Sequence, residues 1–255
     1  MLEEIDLQVQ RLLRRVNQQT LRHLDGSYQV ATKSSYSDLV TTIDRQNEQE
    51  IDHQLRVIDP GCRILSEEGY GDRQLDDLAG HVWIVDPLDG TLNFVKQHDH
   101  FGIMLALYVD GHPTLGYIMD AVNQALYHGG NGWGVFKGDH RLTPPANTDL
   151  HDSLVAISSS LVLDDVANLT QVARQASGLR MYGSAAMEMI GVLSGELGAY
   201  ISHLRPWDLA AGRVLAEELG LTVKSIDADG ISVLSSNLVL VATKRAGQDI
   251  LELTD

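Results

Sequence analysis

The stretch WIVDPLDGTLNF, Trp83 to Phe94, runs the apolar residues Trp83, Ile84 and Val85 directly into Asp86, Pro87, Leu88, Asp89, Gly90 and Thr91. Proline restricts the turn and glycine permits close backbone approach, so both carboxylates, the Leu88 carbonyl and the Thr91 hydroxyl can converge on one small volume. Carboxylates packed that closely raise one another's pKa unless a divalent ion neutralises them. Hard oxygen ligands in such number suit Mg²⁺, which takes oxygen donors, keeps several waters and works with phosphates. Three further acidic features sit where elements begin or end: Asp44, the pair Glu67 and Glu68 in ILSEEGYGD, and Asp208 in RPWDLAAG. Each alone is weak evidence, because an acid at a helix start is an ordinary cap; for Asp208 by itself, capping is the leading reading.

Other chemistries fail on spacing. DPLDGT lacks the alternating acids and later glutamate of an EF-hand loop, and its Asp-x-x-Asp differs from the Asp-x-Asp usual in phosphoaspartate enzymes. No segment ends in the Gly-Lys-Ser/Thr of a P-loop, and none reads Gly-x-Ser-x-Gly. HGGNGWGVFKG suits a tight hairpin, since no helix and downstream acid follow it as a dinucleotide fingerprint requires. His98, Asp99 and His100 have chelating spacing but fall in a loop, where solvent-exposed histidines are the commoner case. Glu188 and Glu196 accompany Met187, Ile190, Leu193 and Leu197 on a helical stretch and read as its solvated face. Trp83, Trp133 and Trp207 read as packing anchors. The single cysteine, Cys62, excludes an intrachain disulfide and a multi-thiolate zinc site, and reads as an inert buried thiol.

These groups need elements to hold them. Leu2, Ile5, Val9, Leu12, Leu13 and Val16 recur at helical spacing, and Ile43, Asn47, Ile51, Leu55 and Ile58 form a second stripe. Between them GSYQVATKSSYSDLVTT reads as a loop or short hairpin, ending at a cap at Thr42 or Asp44. From residue 81 the period shortens: HVWIVD, GIMLALYVDG, PTLGYIMDA, QALYHGG and GWGVFKGD read as strands of a sheet that is antiparallel in part. Beyond a polar boundary at 142–152, strand-like LVAISSS, LGAYIS and LTVKSI alternate with helix-like DDVANLTQVARQA, SAAMEMIGVLSG and DLAAGRVLAEELG. The expectation is one catalytic unit over 1–255, with an N-terminal α+β half over 1–141 and a C-terminal α/β half over 153–255.

With 255 residues, 44% of them hydrophobic, the chain can bury a large core. Its net charge of -16 argues against nucleic acid or an anionic membrane as partner, so a small anionic substrate would need a cation's help. The N-terminus MLEEIDLQVQRLLRRVNQ lacks the basic and apolar regions of a signal peptide. The longest apolar run, Ile103 to Val109, falls far short of the ~20 residues that span a bilayer. A cytoplasmic protein without a membrane partner is the expectation.

Taken together, WIVDPLDGTLNF, SEE at 66–68, DLVTTID at 38–44, YGSAA at 182–186 and WDLAAG at 207–212 resemble the inositol monophosphatase family of lithium-sensitive, Mg²⁺-dependent sugar phosphatases. The match is collinear and covers almost the whole chain. The resemblance implies an α+β fold, a layered αβαβα sandwich with the site between its halves, and a homodimer. It implies two or three Mg²⁺ ions: one on Glu67, Asp86, the Leu88 carbonyl and Thr91, a second on Asp86, Asp89 and Asp208, and a looser one near Glu67. Asp44 would accept a hydrogen bond from Thr91, and Thr91 with Glu67 would orient the attacking water. Gly90, Thr91, Gly183 and Ser184 would contact the substrate, with Lys33 at the rim. The implied reaction is hydrolysis of a small phosphate monoester such as inositol 1-phosphate or a related sugar phosphate. Inositol-specific members carry a glutamate shortly before Trp-Asp, whereas GAYISHLRPWD has no acid between Gly198 and Trp207 and offers Ser202, His203 and Arg205. Arg205 would either face solvent or favour a second anionic group, as in NADP, 3′-phosphoadenosine 5′-phosphate or fructose 1,6-bisphosphate. A non-catalytic regulatory binding protein is the lower-ranked alternative. The family's Gly-Gly after the Trp-Asp motif is here Gly220-Leu221, a local change in a turn.

Overall fold

A computed structural model describes residues 2–24, 26, 28–33, 39–72 and 75–254. The chain opens with α1 (Leu2–Arg22), hairpin arms β1 (Val30–Thr32) and β2 (Leu39–Thr41), and α2 (Thr42–Ile58). There follow β3 (Arg63–Ser66), β4 (His81–Asp89), α3 (Thr91–Lys96), β5 (Gly102–Val109), β6 (His112–Asp120), β7 (Ala125–Gly129), β8 (Val135–Lys137) and β9 (His140–Arg141). Next come β10 (Leu154–Ile157), α4 (Ser159–Leu163), α5 (Leu169–Gln175), β11 (Gly178–Arg180) and α6 (Ala185–Ser194). The last are β12 (Ala199–Leu204), α7 (Pro206–Glu218), β13 (Thr222–Ser225), β14 (Asn237–Ala242) and α8 (Lys244–Thr254).

Strands β3 to β9 form a seven-stranded sheet in chain order. Only its β3–β4 pair is parallel, because the other connections are short enough for antiparallel return. The second sheet has five strands in the order β11-β10-β12-β14-β13, and β14 runs antiparallel to both of its neighbours. Alternation along β4 sorts the layers. Trp83 and Val85 pack with Ile5, Val9, Leu13 and Ile51 of α1 and α2, while Val82 and Ile84 pack with Ala186, Met189 and Leu215 of α6 and α7. Val239 and Val241 close that second core from the five-stranded sheet, whose other face, through Leu238 and Leu240, covers Leu161, Val172 and Ile250. The order is therefore helices, sheet, helices, sheet, helices, the layered α+β sandwich expected. Gly116 lets α7 lie close on β6, since a Cβ there would stand 2.7 Å from the Ala211 carbonyl oxygen. Trp83 is fully buried and donates its indole N–H to Asp59 Oδ2 at 3.0 Å, so truncating it would cost about 3–5 kcal/mol.

Four local expectations are corrected. DDVANLTQVARQA is not one helix: the chain turns through positive φ at Asp165, Ala167 and Asn168 between α4 and α5. There Asp165 Oδ1 accepts the Thr170 N–H at 3.0 Å, a side-chain bond that competes with helix continuation. The cap of α2 is Thr41 rather than Thr42 or Asp44, its hydroxyl accepting from the Ile43 N–H at 3.1 Å. Glu188 is buried, not solvated, whereas Glu196 is exposed just beyond α6. Finally α3, β11, β14 and α8 went unread, although NLVLVA in β14 is an apolar run of strand length. Residues 34–38 of the expected loop or hairpin lie outside the described residues, and β1 pairs antiparallel with β2 on either side of them.

Candidate active site

Asp86 and Asp89 are three positions apart, so on a regular strand their side chains would face opposite sides of the sheet. The register against β5 runs from Asp86↔Met104 to Asp89↔Gly102, so β4 advances one residue more than its partner. This bulge at Pro87 and Leu88 turns Asp89 to the side of Asp86, toward α6. Proline suits the bulge because it has no N–H to lose from the ladder. Asn47 Nδ2 donates to the Pro87 carbonyl at 3.1 Å, Asp86 Oδ1 accepts the Leu88 N–H at 3.0 Å, and the Leu88 side chain packs on Ile43, Phe94 and Phe101. Gly90 follows at φ +82, where a Cβ would stand 3.0 Å from the His100 carbonyl oxygen and 3.1 Å from Ser184 Cβ.

Three helix starts deliver the remaining groups. At α2, Asp44 Oδ2 accepts the Thr41 N–H at 2.8 Å in a capping box, and Oδ1 accepts the Thr91 hydroxyl at 2.7 Å. The Thr91 hydroxyl also lies 3.0 Å from the Leu88 carbonyl oxygen. At α6, Asp89 accepts from the Ser184 hydroxyl and from the N–H groups of Ala185 (3.1 Å) and Ala186 (2.9 Å), a placement the helix dipole favours. At α7, Asp208 accepts the Arg205 N–H at 2.9 Å and still reaches the other two aspartates: oxygens of Asp86, Asp89 and Asp208 all lie within 4.8 Å of one another. Capping and clustering are thus compatible readings of Asp208. A cavity of about 220 Å³ opens over the cluster, lined by Glu67, Asp86, Asp89, Thr91, Gly183 and Asp208 among others. A larger groove of about 680 Å³ beside β13 and α8 brings no such set of carboxylates together.

Burial holds the Asp86 carboxyl well above the usual carboxylate range, and the charges of Glu67, Asp89 and Asp208 push the same way. Asp208 is pushed up to about 7 by burial and then by Asp89. Burial also raises Asp89, against the pull of the Ser184, Ala186 and Ala185 donors, and raises Asp44 against the Thr41 and Thr91 donors. Glu67 is raised by burial, with the Lys33 charge opposing. Like charges forced into one buried volume are what a divalent cation relieves, and the donors are all hard oxygens. The residues present therefore fit Mg²⁺ or a similar ion.

Lys33 does not itself line the cavity; its ammonium bonds Glu67 Oε1, which does, at 3.0 Å, and also Glu68 Oε1. Arg205 is exposed, does not line the cavity, and lies with its guanidinium carbon 5.9 Å from the Trp207 ring centroid. His98 and Asp99 are exposed, and His100 stacks on Tyr182. Cys62 is buried with its thiol pushed up to about 11 by burial and by Asp59. Sequence reasoning placed Asn47 only in a helical stripe and passed over Glu48 and Asn93; all three are buried beside the site. Their signal was present: Asp44, Asn47, Glu48 and Ile51 share the helical stripe that faces inward.

The layered α+β sandwich gathers its buried carboxylates at strand and helix ends around one cleft, an arrangement shared with solved phosphatases. The family model described as the inositol monophosphatase family matches residues 1–255, and the chain belongs to that family. It is 35% identical over 254 residues to inositol-1-monophosphatase of Bacillus subtilis (strain 168), covering 98% of this chain and 96% of the relative. It is 30% identical over 240 residues to fructose-1,6-bisphosphatase/inositol-1-monophosphatase of Thermotoga maritima, covering 93% and 91%. Among solved structures, an IMPase/NADP phosphatase complexed with Mg²⁺ and phosphate matches at a TM-score of 0.91 and 28% identity, covering 99% of this chain and 95% of that one.

Proposed function

We propose that the cleft hydrolyses a small phosphate monoester, inositol 1-phosphate or a related sugar phosphate, with Mg²⁺. The observation that carries this reading is the convergence of Asp86, Asp89 and Asp208 oxygens within 4.8 Å on a cavity that Thr91 and Glu67 also line. Glu67, Asp86, the Leu88 carbonyl, Thr91, Asp89 and Asp208 would hold two or three ions. When bound, the cations supply the positive charge that phosphoryl transfer needs on its equatorial and leaving oxygens. The chain's own part is orientation. Asp44 Oδ1 accepts a hydrogen bond from the Thr91 hydroxyl at 2.7 Å, which leaves a Thr91 lone pair to accept one from a water. Glu67 is the second acceptor on the same cavity, so the pair fixes the water's direction of attack. Gly90, Thr91 and Gly183, which line the cavity, would contact the phosphate or its sugar neighbours, with Ser184 buried behind them and its hydroxyl held by Asp89, and Lys33 would hold Glu67 and Glu68 at the rim.

A second reading concerns the leaving group. GAYISHLRPWD carries no acid before Asp208 and exposes Arg205, which favours substrates with another anionic group, such as NADP or fructose 1,6-bisphosphate. The relatives named for those activities support keeping it beside the first. Family membership likewise supports a homodimer, lithium inhibition, a cytoplasmic setting and one catalytic unit spanning 1–255; no described helix is long and apolar enough to cross a membrane. The test is phosphate release from inositol 1-phosphate, glycerol phosphate, fructose 1,6-bisphosphate, NADP and 3′-phosphoadenosine 5′-phosphate, with and without Mg²⁺. Mg²⁺-dependent release from at least one is expected, and release from none would refute the reading.

A further inference from the structure

Two buried glutamates that line no part of the cleft stand behind two of its segments. Glu48 on α2 accepts three hydrogen bonds from the turn that follows β3: the Ser66 hydroxyl (2.8 Å) and Tyr70 N–H (2.7 Å) on Oε1, and the Glu68 N–H (2.6 Å) on Oε2. Glu67 sits inside that clamped turn. Glu188 on α6 accepts the Tyr182 N–H at 2.9 Å and the Gly183 N–H at 3.4 Å, while Asn93 Nδ2 holds the Tyr182 carbonyl at 2.8 Å. The peptide leading into Gly183 and Ser184 is thus gripped from both ends. Both glutamates are at most 3% exposed, a costly place for an acid unless its donors need it.

We infer that Glu48 and Glu188 are positioning residues with separate duties: Glu48 fixes the pose of Glu67 toward a cation, and Glu188 fixes the Gly183 segment toward phosphate. This rests on the roles proposed above for Glu67 and Gly183. A carboxylate accepts at both oxygens, and its bonds to backbone N–H groups are charge-assisted. At Glu48, whose two oxygens both hold donors, glutamine has nearly the same shape but turns an NH₂ toward at least one of them; at Glu188, whose Oε1 takes both amides, glutamine removes the charge that strengthens both bonds. It should loosen the turn while leaving the core filled.

The experiment compares wild type, Glu48→Gln and Glu188→Gln in two measurements. One is calorimetric titration of the substrate-free protein with Mn²⁺; the other is KM for the best phosphate ester, and inhibition by inorganic phosphate, at saturating Mg²⁺. Partners behind a metal ligand are worth about 10–100-fold in affinity, so Glu48→Gln is expected to weaken Mn²⁺ binding by about tenfold and leave KM within about twofold. Glu188→Gln is expected to do the reverse: about tenfold in KM and in phosphate inhibition, with Mn²⁺ affinity within about twofold. Variants that shift both quantities together, or neither, overturn the proposal. Should a glutamine variant fail to fold by circular dichroism, Ser66→Ala and Asn93→Ala take its place. Each removes one anchor of its segment, and the same split in smaller measure is expected, its absence being decisive against. A wild type that binds Mn²⁺ yet releases no phosphate refutes the functional reading instead, and the Glu48 comparison is still decided by calorimetry.

Discussion

The bulge of β4 and the junction of β12 with α7 both border the cleft, and they are built in opposite ways. At the bulge, Asp86 and Asp89 are buried at 1% and 8% exposure, and Asp89 takes donors from the Ser184 hydroxyl and two helix N–H groups. At the junction, His203 and Arg205 are exposed; Asp208 holds the Arg205 backbone, and the Arg205 side chain lies over Trp207. Carboxylates gathered on one cavity are over-determined, because a misplaced buried carboxylate is expensive. Groups at the rim can change without disturbing the fold. The contrast explains how one scaffold keeps one chemistry beside relatives named for different substrates.

The sharpest way to break the comparison is Asp86→Asn. Losing one ligand forfeits several kcal/mol of transition-state stabilisation, so kcat should fall on the order of 10³-fold while circular dichroism stays unchanged. Near-normal turnover would show that the bulge is only structural. Chelation with EDTA should bring wild type to the same level, and Mg²⁺ should restore it.

Gly90→Ala tests whether the bulge's exit is as constrained as its φ of +82 and its two close contacts require. About 1–3 kcal/mol of stability should be lost, read as a lower melting temperature, together with activity. A melting temperature equal to wild type would show that the backbone there is slack.

A third prediction concerns pH. Asp52 is pushed up to about 7 by burial and then by the charge of Glu48, against an unfolded value of 3.8. The folded state therefore keeps a proton that the unfolded chain gives up. The stability Asp52 contributes is complete below pH 3.8 and is lost as pH rises through about 7. In metal-free protein Asp52→Asn should flatten that decline, raising the melting temperature at pH 8 by about 2–4 °C for each kcal/mol recovered. A pH profile identical to wild type would place the proton elsewhere.

The smallest effect belongs to the junction. Arg205→Ala should alter stability by less than about 0.5 kcal/mol. It should raise KM up to about tenfold for NADP or fructose 1,6-bisphosphate only, the range of a hydrogen bond to a charged group. An equal change for inositol 1-phosphate would argue that Arg205 reads the phosphate itself.

Short-range spacing accounts for what was legible. The Asp-Pro-x-Asp-Gly-Thr run, the stripe of α1 and the apolar strands β4 to β6 each announce themselves within a few residues, because turn geometry and side-chain periodicity are local. The helix breaks at Asp165 to Asn168 were missed because a side-chain bond to Thr170 overrides helix propensity there. Glu188 was misread because a lone acid on an apolar helix says nothing of the amides waiting above it, Tyr182 N–H and Gly183 N–H.

What the sequence determined by itself is the donor set: which carboxylates, carbonyl and hydroxyl stand at the ends of strands and helices. Tertiary structure decided how they act. The extra residue against β5 puts Asp86 and Asp89 on one face, and α7 carries Asp208 across to them. Burial then raises Asp86 far above an ordinary aspartate, Glu48 acquires a donor from Glu68, 20 residues away, and Glu188 closes back on the turn just before its own helix. The physical reason is that a carboxylate's charge state and partners are sums over everything packed around it, and those neighbours exist only once the layers have closed.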